Sequence, residues 1–191
     1  KGFSGEWKER GLGHITESFS GGTPPVGNSE YYGGDIPFIR SGEIHAKRTK
    51  LHISKEGLNN SAAKTVLVGD ILYALYGATS GEVSISKING AINQAILAIR
   101  AIDNDDHYLI AELLKAQKDK IINTYLQGGQ GNLSGTIVKQ LLIRLPIDKT
   151  EQGRISSFLQ KYDAIVNLQL GKLEKLQAMK QAYLHEMFPA E

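Results

Sequence analysis

Apolar positions in the C-terminal part of the chain follow a seven-residue repeat. From Glu151 to Met187 there is no proline, and the repeat holds polar residues only at Gln169 and Lys180. Its apolar seam consists of Ile155, Leu159, Tyr162, Val166, Leu173, Leu176, Tyr183 and Met187. A seam kept over several heptads is typical of a coiled-coil helix that needs a partner helix. The pattern predicts a rod of about 55 Å; the alternative is a long helix folded back on its own domain.

Upstream of this rod the chain is rich in glycine and reads as short strands and loops. Residues 7–19 predict a short strand entering a loop, and residues 20–34 an ordered surface loop. The apolar run at 36–39 predicts a strand, and two more short runs flank the turn signal Gly69-Asp70. Asn89-Gly90 lies between further apolar runs, which favours a tight hairpin.

The pattern then changes to helical spacing. Asp105 or Asp106 is placed to cap a helix that runs to about Tyr125. Its apolar face is Leu109, Ile110, Leu113, Leu114, Ile121, Ile122 and Tyr125. A strand ending at Pro146 follows, and Thr150 is a possible cap for the rod helix. The expected architecture is α+β: a mixed strand and helix domain over residues 1–150, then the long coiled-coil helix over 151–191.

Composition limits the possible classes. The 191 residues suffice for one ordinary domain plus an extension. Cysteine is absent, which excludes disulfides and cysteine nucleophiles and fits a reducing cytoplasm. No run of 18 or more apolar residues and no signal-peptide pattern occurs. The formal net charge is only +2, so a nucleic-acid binder of this composition must concentrate its positive charge on one surface.

Such a concentration exists between Arg40 and Lys55. This segment also carries Lys47, Arg48 and Lys50, against the single acidic residue Glu43. Clustered lysine and arginine neutralise phosphates and supply most non-specific affinity for DNA, and arginine is the residue best shaped to read guanine. We expect Lys47, Arg48 and Lys50 to contact phosphates. The alternative is a solvated charged loop.

Glycine-rich loops rimmed with amides and hydroxyls form a second candidate surface. Glycine lets backbone N–H groups approach a phosphate, and asparagine and glutamine pair with adenine edges. The expected base or groove contacts are Gly21, Gly22, Thr23, Arg40, Tyr76, Thr79, Gln127, Gln130 and Asn132. Asn93 and Gln94 fall in a predicted strand, where one of them would face inward. The alternative is that these glycines serve tight turns and that the amides cap the backbone.

Catalytic patterns are missing from the sequence. There is neither a phosphate-binding glycine loop nor a methyltransferase-like Asn-Pro-Pro-Tyr motif. Glu6 and Lys8 have a nuclease-like spacing without an acidic partner, and the five histidines lack metal-ligand spacing. Asp103, Asp105 and Asp106 lie at a predicted helix start, where capping explains them. We therefore expect no metal and no enzymatic activity in this chain.

Several motifs nevertheless carry a resemblance to a known family. Near the rod they are Leu141 to Pro146, Glu151-Gln152 with Ile155, Lys172 to Leu176, Tyr183-Leu184 and Glu186 to Phe188. Upstream they are Gly21 to Pro24, Ile36 to Ile44, Gly69 to Leu72, Gly90 to Ala95 and Gly128 to Ser134. Taken in chain order, these motifs resemble those of specificity (S) subunits of type I restriction-modification systems. Members usually carry two recognition domains and two conserved helices, whereas this chain has one of each and looks like a half-subunit, either natural or truncated.

The resemblance implies a DNA target-recognition domain followed by a helix that pairs with a second such helix. The helix pair would also dock modification subunits, which supply S-adenosylmethionine, and the restriction and translocation subunit; ATP and Mg²⁺ are expected on those partners and not on this chain. A homodimer would read an interrupted palindrome in double-stranded DNA. Two alternatives stay open: a coiled-coil interaction or decoy protein that does not bind DNA, and an enzyme with an unrecognised site.

Overall fold

The computed structural model describes residues 5–126 and 132–188. Contacts divide the chain into two compact units, Lys1–Gln152 and Gly153–Glu191. The first unit contains mixed strands and short helices, and the second belongs to one long helix. This agrees with the α+β class and the long C-terminal helix that the sequence predicts. None of the helices in the described part of the chain is both long and apolar enough to span a bilayer.

The first of two four-stranded sheets, here the central sheet, is antiparallel throughout. Its order is β2-β9-β6-β7, formed by Thr16–Ser20, Ile96–Ala101, Ile71–Ala74 and Val83–Ile85. Residues of β6 and most of β9 are buried, in agreement with their continuous apolar runs. β6 and β9 therefore form the middle of the sheet, with β2 and β7 at its edges.

The second four-stranded sheet, here the lateral sheet, has the order β4-β3-β8-β5. Its strands are Leu51–Ile53, Tyr32–Ile39, Gly90–Ile92 and Lys64–Val66. The β3–β8 pair is parallel and the other two pairs are antiparallel. Side chains alternate across this sheet: Ile39 and Ile92 join the main core with Leu72 and Ile96 of the central sheet, whereas Phe38 packs with Ile53 on the opposite face.

Two turn signals connect the sheets and do not close hairpins. The Gly69-Asp70 turn links β5 of the lateral sheet to β6 of the central sheet. The hairpin predicted at Asn89-Gly90 is wrong, because β7 pairs with β6 while β8 pairs with β3 and β5. The Asn89 side chain instead accepts a hydrogen bond from the Val68 backbone N–H at 2.8 Å. Gly90 also has no positive φ, which a type I′ turn requires.

The helix predicted from Asp105 or Asp106 to Tyr125 is divided in two. α3 is His107–Ala116, capped by the Asp106 carboxylate, which accepts from the Leu109 N–H at 2.8 Å. α4 is Lys118–Tyr125, and Gln117 lies between them. Short helices also occur at Leu12–Ile15 (α1), Lys55–Asn59 (α2) and Gly135–Gln140 (α5). α1 interrupts the strand and loop predicted over residues 7–19, so this segment contains two strands.

A two-stranded antiparallel sheet, here the terminal ribbon, joins distant parts of the chain. It pairs β1, Trp7–Gly11, with β10, Leu142–Pro146, and places Trp7 opposite Pro146. The predicted strand ending at Pro146 is thus confirmed. Immediately after it, α6 spans Lys149–Met187. The Asp148 carboxylate accepts from the Thr150 N–H at 2.8 Å, so Asp148 caps this helix and the prediction of a Thr150 cap is wrong.

The first turn of α6 is held by the buried carboxylate of Asp105. Asp105 accepts hydrogen bonds from Arg10 and Gln152, each at 2.7 Å, and from Lys149. Gln152 is itself fully buried and accepts from the Asp106 N–H at 2.8 Å. Burial alone would raise the pKa of Asp105, but hydrogen bonds from Lys149, Gln152 and Arg10 lower it below its ordinary value. These contacts bring β1, the start of α3 and the first turn of α6 together.

The rest of α6 carries exposed apolar side chains. Of the predicted seam, Ile155 and Leu159 are half-buried, and Tyr162, Val166, Leu173, Leu176, Tyr183 and Met187 are exposed. The Phe158 and Tyr162 rings pack with centroids 4.8 Å apart. At 39 residues the helix is about 58 Å long. Most of the predicted seam is thus exposed to solvent in the single chain.

Candidate nucleic-acid interface

The C-terminal ends of four strands, and the residues that follow them, lie at the same end of the first unit. β2 and β6 lie antiparallel to β9, and the pairs Ser20–Leu97 and Ala74–Ile96 place their C-terminal ends beside the start of β9. In the lateral sheet, Ile39 pairs with Ile92 at the ends of the parallel strands β3 and β8. We call this end the loop edge. It comprises the segments after β2, β3 and β6 and residues 93–95, which connect the two sheets.

Residues 93–95 organise the loop edge. The Asn93 N–H donates to the Ile39 carbonyl at 3.3 Å, and the Asn93 side chain accepts from the Ala95 N–H at 3.2 Å. Ala95 in turn accepts from the Leu75 N–H at 2.8 Å. Asn93 and Gln94 therefore lie in a connection and not inside a strand, which corrects the sequence-based expectation. Gln94 is exposed, so its side chain lies at this surface.

The Gly21-Gly22-Thr23 loop lies across the end of β8. The Gly22 N–H donates to the Ile92 carbonyl at 3.2 Å, and the Thr23 hydroxyl donates to the Gln94 side-chain oxygen at 2.7 Å. A Cβ on Gly21 would stand 1.8 Å from the Ile92 carbonyl oxygen, and one on Gly22 would stand 2.5 Å from the Ala62 Cβ. Both glycines are therefore needed for close packing, which places Thr23 beside Gln94.

Arg40 and Glu43 form an ion pair directly after β3. The Arg40 Nε donates to a Glu43 carboxylate oxygen at 2.9 Å, and the other carboxylate oxygen accepts from the Lys50 backbone N–H at 3.0 Å. Burial would raise the pKa of Glu43, but the bonds from Arg40 and Lys50 lower it below its ordinary value. Glu43 therefore stays ionised at neutral pH. It fixes both Arg40 and the start of β4.

The predicted phosphate contacts lie in the loop between Glu43 and β4. Lys47, Arg48 and Lys50 are exposed, and none of them forms an ion pair with any residue in the described ranges 5–126 and 132–188. The loop is attached through His45 to residues on either side of β7, the edge strand of the central sheet. His45 pairs with Glu82 at 3.4 Å, and its carbonyl accepts from the Lys87 ammonium at 3.0 Å. The three side chains thus present uncompensated positive charge next to Arg40.

A second group of predicted contacts meets at the end of β6. Tyr76 and Asn132 form an isolated antiparallel bridge, supported by the Leu133 N–H donating to the Leu75 carbonyl at 2.7 Å. Thr79 lies in the turn after Tyr76 and is half-buried. Burial raises the pKa of Tyr76 above its ordinary value, and the phenol is a hydrogen-bond donor at neutral pH in either case. Tyr76, Thr79 and Asn132 are thereby brought to the loop edge.

A cavity of about 350 Å³ opens beside the Arg40 and Thr23 side chains. Polar lining residues are Thr23, Arg40 and Asn93. The rest of the lining is apolar or aromatic and comes from Val26, Tyr32, Phe38 and Leu51. The Tyr32 hydroxyl donates to the Pro24 carbonyl at 2.5 Å, which ties the loop after β2 to β3. Polar groups around an apolar recess suit the edge of a base, which combines hydrogen-bonding atoms with an apolar face or methyl group.

Two predicted contacts, Gln127 and Gln130, lie outside the described residues. Sequence reasoning missed Glu43 as a partner of Arg40 and undervalued Gln94. The signal for Glu43 was its spacing of three residues from Arg40, which suits a tight turn. The signal for Gln94 was the polar pair that interrupts the apolar run from Ile92 to Ile96. Among the described residues, no group of three or more acidic or histidine side chains could hold a metal ion.

Comparison with known proteins places the chain in a family. Residues 4–178 match the family described as type I restriction modification DNA specificity domain. The chain belongs to this family. It is 27% identical over 133 residues to the HindI specificity subunit of Haemophilus influenzae, and 27% identical over 172 residues to the MjaIX specificity subunit of Methanocaldococcus jannaschii. These matches cover 67% and 84% of this chain but only 29% and 39% of the relatives.

Solved structures of the same class share the fold. A type I restriction-modification S subunit from M. genitalium superposes with a TM-score of 0.69 at 14% identity, over 97% of this chain and 46% of that one. The HsdS subunit of Thermoanaerobacter tengcongensis gives 0.65 at 20% identity, over 95% and 42%. The chain thus spans less than half the length of these S subunits. Family membership supports a DNA-recognition role and does not favour an interaction protein without DNA binding.

Proposed function

We propose that this chain recognises one half of a bipartite DNA target within a type I restriction-modification complex, and that the loop edge is its DNA-contacting surface. The observation that carries the proposal is the convergence at one end of both predicted groups. The exposed cations Lys47, Arg48 and Lys50 lie in the loop that follows Arg40. Arg40 lines one cavity with Thr23, whose hydroxyl donates to Gln94. Cations of this kind fix the protein on the phosphate backbone, whereas amides and arginine read base edges.

In this proposal the chain selects the sequence and other subunits perform the chemistry. The modification subunit supplies S-adenosylmethionine and the methyl transfer, and the restriction subunit supplies the ATP- and Mg²⁺-dependent steps. The sequence lacks motifs for either reaction. Because a base must leave the DNA stack before it can be methylated, we expect bound DNA to be distorted for the partner.

The exposed seam of α6 supports a further part of the proposal, a homodimer. Two copies pairing their helices antiparallel would carry two identical recognition units related by a two-fold axis. The target would then be an interrupted palindrome. Docking of the modification subunits on the same helix pair belongs to this proposal as well.

Removing a phosphate contact should weaken binding to all DNA sequences alike. For Lys47→Ala in the full chain reconstituted with its modification subunit, we expect lower affinity for target and random duplexes, with the slope of log K against log[salt] reduced by about one. Asn132→Ala should instead cost about 1–3 kcal/mol on the target and little on random DNA. Fluorescence anisotropy at several salt concentrations measures both effects.

The matched control is Lys139→Ala. Lys139 is an exposed lysine on α5 that packs near Gly13, before β2 and thus away from the loop edge. This substitution removes the same charge and should leave the salt slope almost unchanged. Equal slopes for Lys47→Ala, Lys139→Ala and the unsubstituted complex would show that the loop edge does not contact phosphates.

A further inference from the structure

Glu43 is placed to aim Arg40. Arg40 precedes a single 3-10 turn, Ser41–Glu43, and Glu43 ends it; the Glu43 N–H donates to the Arg40 carbonyl at 2.7 Å. The Glu43 side chain is only 14% exposed, whereas that of Arg40 is 48% exposed. A carboxylate fixed by the turn and by the Lys50 N–H thus holds the inner part of a side chain whose end reaches solvent.

The contact leaves the useful end of the guanidinium available. Nε is the nitrogen that donates to Glu43, and among the described residues no side chain accepts from either terminal nitrogen of Arg40. The two terminal nitrogens form the planar fork that matches the O6 and N7 acceptors of guanine. Because an arginine held by one bond loses less conformational entropy on binding, this pairing pre-organises the fork.

We propose that Arg40 reads a guanine in the target and that Glu43 is its positioning residue. This inference rests on the proposed DNA-binding function and goes further, because it names the base. The neighbourhood agrees with it. The Arg40 side chain lines the apolar recess together with Thr23 and Asn93. Lys47 and Lys50 lie in the loop that Glu43 helps to fix. Phosphate contacts and a base contact would then come from adjacent parts of one turn and loop.

Replacing Glu43 by glutamine separates two explanations of its role by their effect on base preference. If Glu43 only stabilises a charged loop, Glu43→Gln removes a negative charge and should tighten binding to every duplex equally. If Glu43 aims Arg40, the same substitution should tighten binding to random DNA but lower the preference for guanine at one position, by roughly fivefold or more. Glutamine keeps one acceptor oxygen where glutamate has two, so the Arg40 Nε and the Lys50 N–H compete for it and the fixed ion pair is lost.

Arg40→Lys supplies the complementary test. Lysine keeps the charge but lacks the fork, so affinity for random DNA and the salt slope should be retained. The preference for guanine at the same position should fall by roughly 5- to 150-fold, the range for a lost bidentate pair. The double variant Arg40→Lys/Glu43→Gln should lose no more preference than Arg40→Lys alone, because Glu43 acts through Arg40.

The experiment selects bound duplexes from a randomised pool with the reconstituted complex and determines the base preference at each position. Glu56→Gln, an exposed carboxylate on α2, is the charge control and should leave every preference unchanged. Circular dichroism of each variant confirms folding. An unchanged guanine preference in both Arg40→Lys and Glu43→Gln, with a wild-type complex that still selects a sequence, would overturn this inference alone. A wild-type complex that selects no sequence would overturn the proposed function and this inference with it.

Discussion

At the scale of single residues, the acidic cluster at positions 103–106 separates into distinct roles. Asp106 caps α3, as the sequence predicts for an acidic residue at a helix start. Asp105 is instead buried among Arg10, Lys149 and Gln152. The capping role follows from local spacing and was predictable. The buried role was not, because its three partners lie 44 to 95 residues away in the sequence.

The partners of Asp105 lead to a prediction about stability. A carboxylate with a lowered pKa contributes stability above its ordinary pKa of about 3.9, and this contribution is lost as the pH falls through the folded-state value. We expect Asp105→Asn to reduce the free energy of unfolding by about 1.5–3 kcal/mol at pH 7, since charge-assisted bonds are lost. The difference from wild type should shrink below pH 4, and urea denaturation at several pH values measures it.

Asp103→Asn is the matched control for this prediction. Asp103 is exposed and has φ near 54°, a conformation that asparagine also tolerates. The control should unfold at nearly the wild-type urea concentration. If the stability difference for Asp105→Asn were the same at pH 7 and at pH 3.5, the Asp105 carboxylate would not stabilise the fold in its ionised form.

At the scale of elements, the sequence predicted most strands but not how they pair. The runs that became β3, β5, β6 and β10 were visible from their apolar residues. The hairpin predicted at Asn89-Gly90 is wrong because a hairpin signal is local. Here the Asn89 side chain accepts from the Val68 backbone N–H, and β8 pairs between β3 and β5. The break between α3 and α4 at Gln117 has no glycine or proline to announce it. Pairing between distant strands is decided by packing in the core, which one sequence does not display.

The exposed seam of α6 allows a direct test of the proposed dimer. Leu173 lies on the predicted seam and is 50% exposed, while Leu168 is 59% exposed but off the seam. Leu173→Asp should convert a dimer into a monomer, because it would bury a charge between two helices. Leu168→Asp introduces the same charge and should leave the dimer intact. Light scattering at several concentrations gives the masses. A wild-type chain that stays monomeric at every concentration would argue against the homodimer and against a palindromic target.

At the scale of the whole molecule, the proposed rod would set the distance between two recognised half-sites. The α6 helix is about 58 Å long, roughly one and a half turns of B-DNA. Inserting one heptad within α6 keeps the seam in phase and lengthens the rod by about 10 Å. We expect the preferred spacer to grow by about three base pairs, at 3.4 Å per base pair. Selection from duplexes of varied spacer length measures the preferred spacer. An unchanged spacer would contradict the proposal that the rod sets the distance between half-sites.

The terminal ribbon has a consequence for the order in which the molecule can fold. It joins residues 7–11 to residues 142–146, so the first strand stays unpaired until almost the whole first unit has been synthesised. At about 5–20 residues per second, this wait lasts roughly 7–27 seconds on the ribosome. Contacts over such a sequence separation also close slowly. The first turn of α6 is held by Asp105, which also binds Arg10 of β1. This set of contacts can therefore be completed only at the end of the process. The loops of the first unit are thus synthesised before the helix that would unite two copies in the proposed dimer.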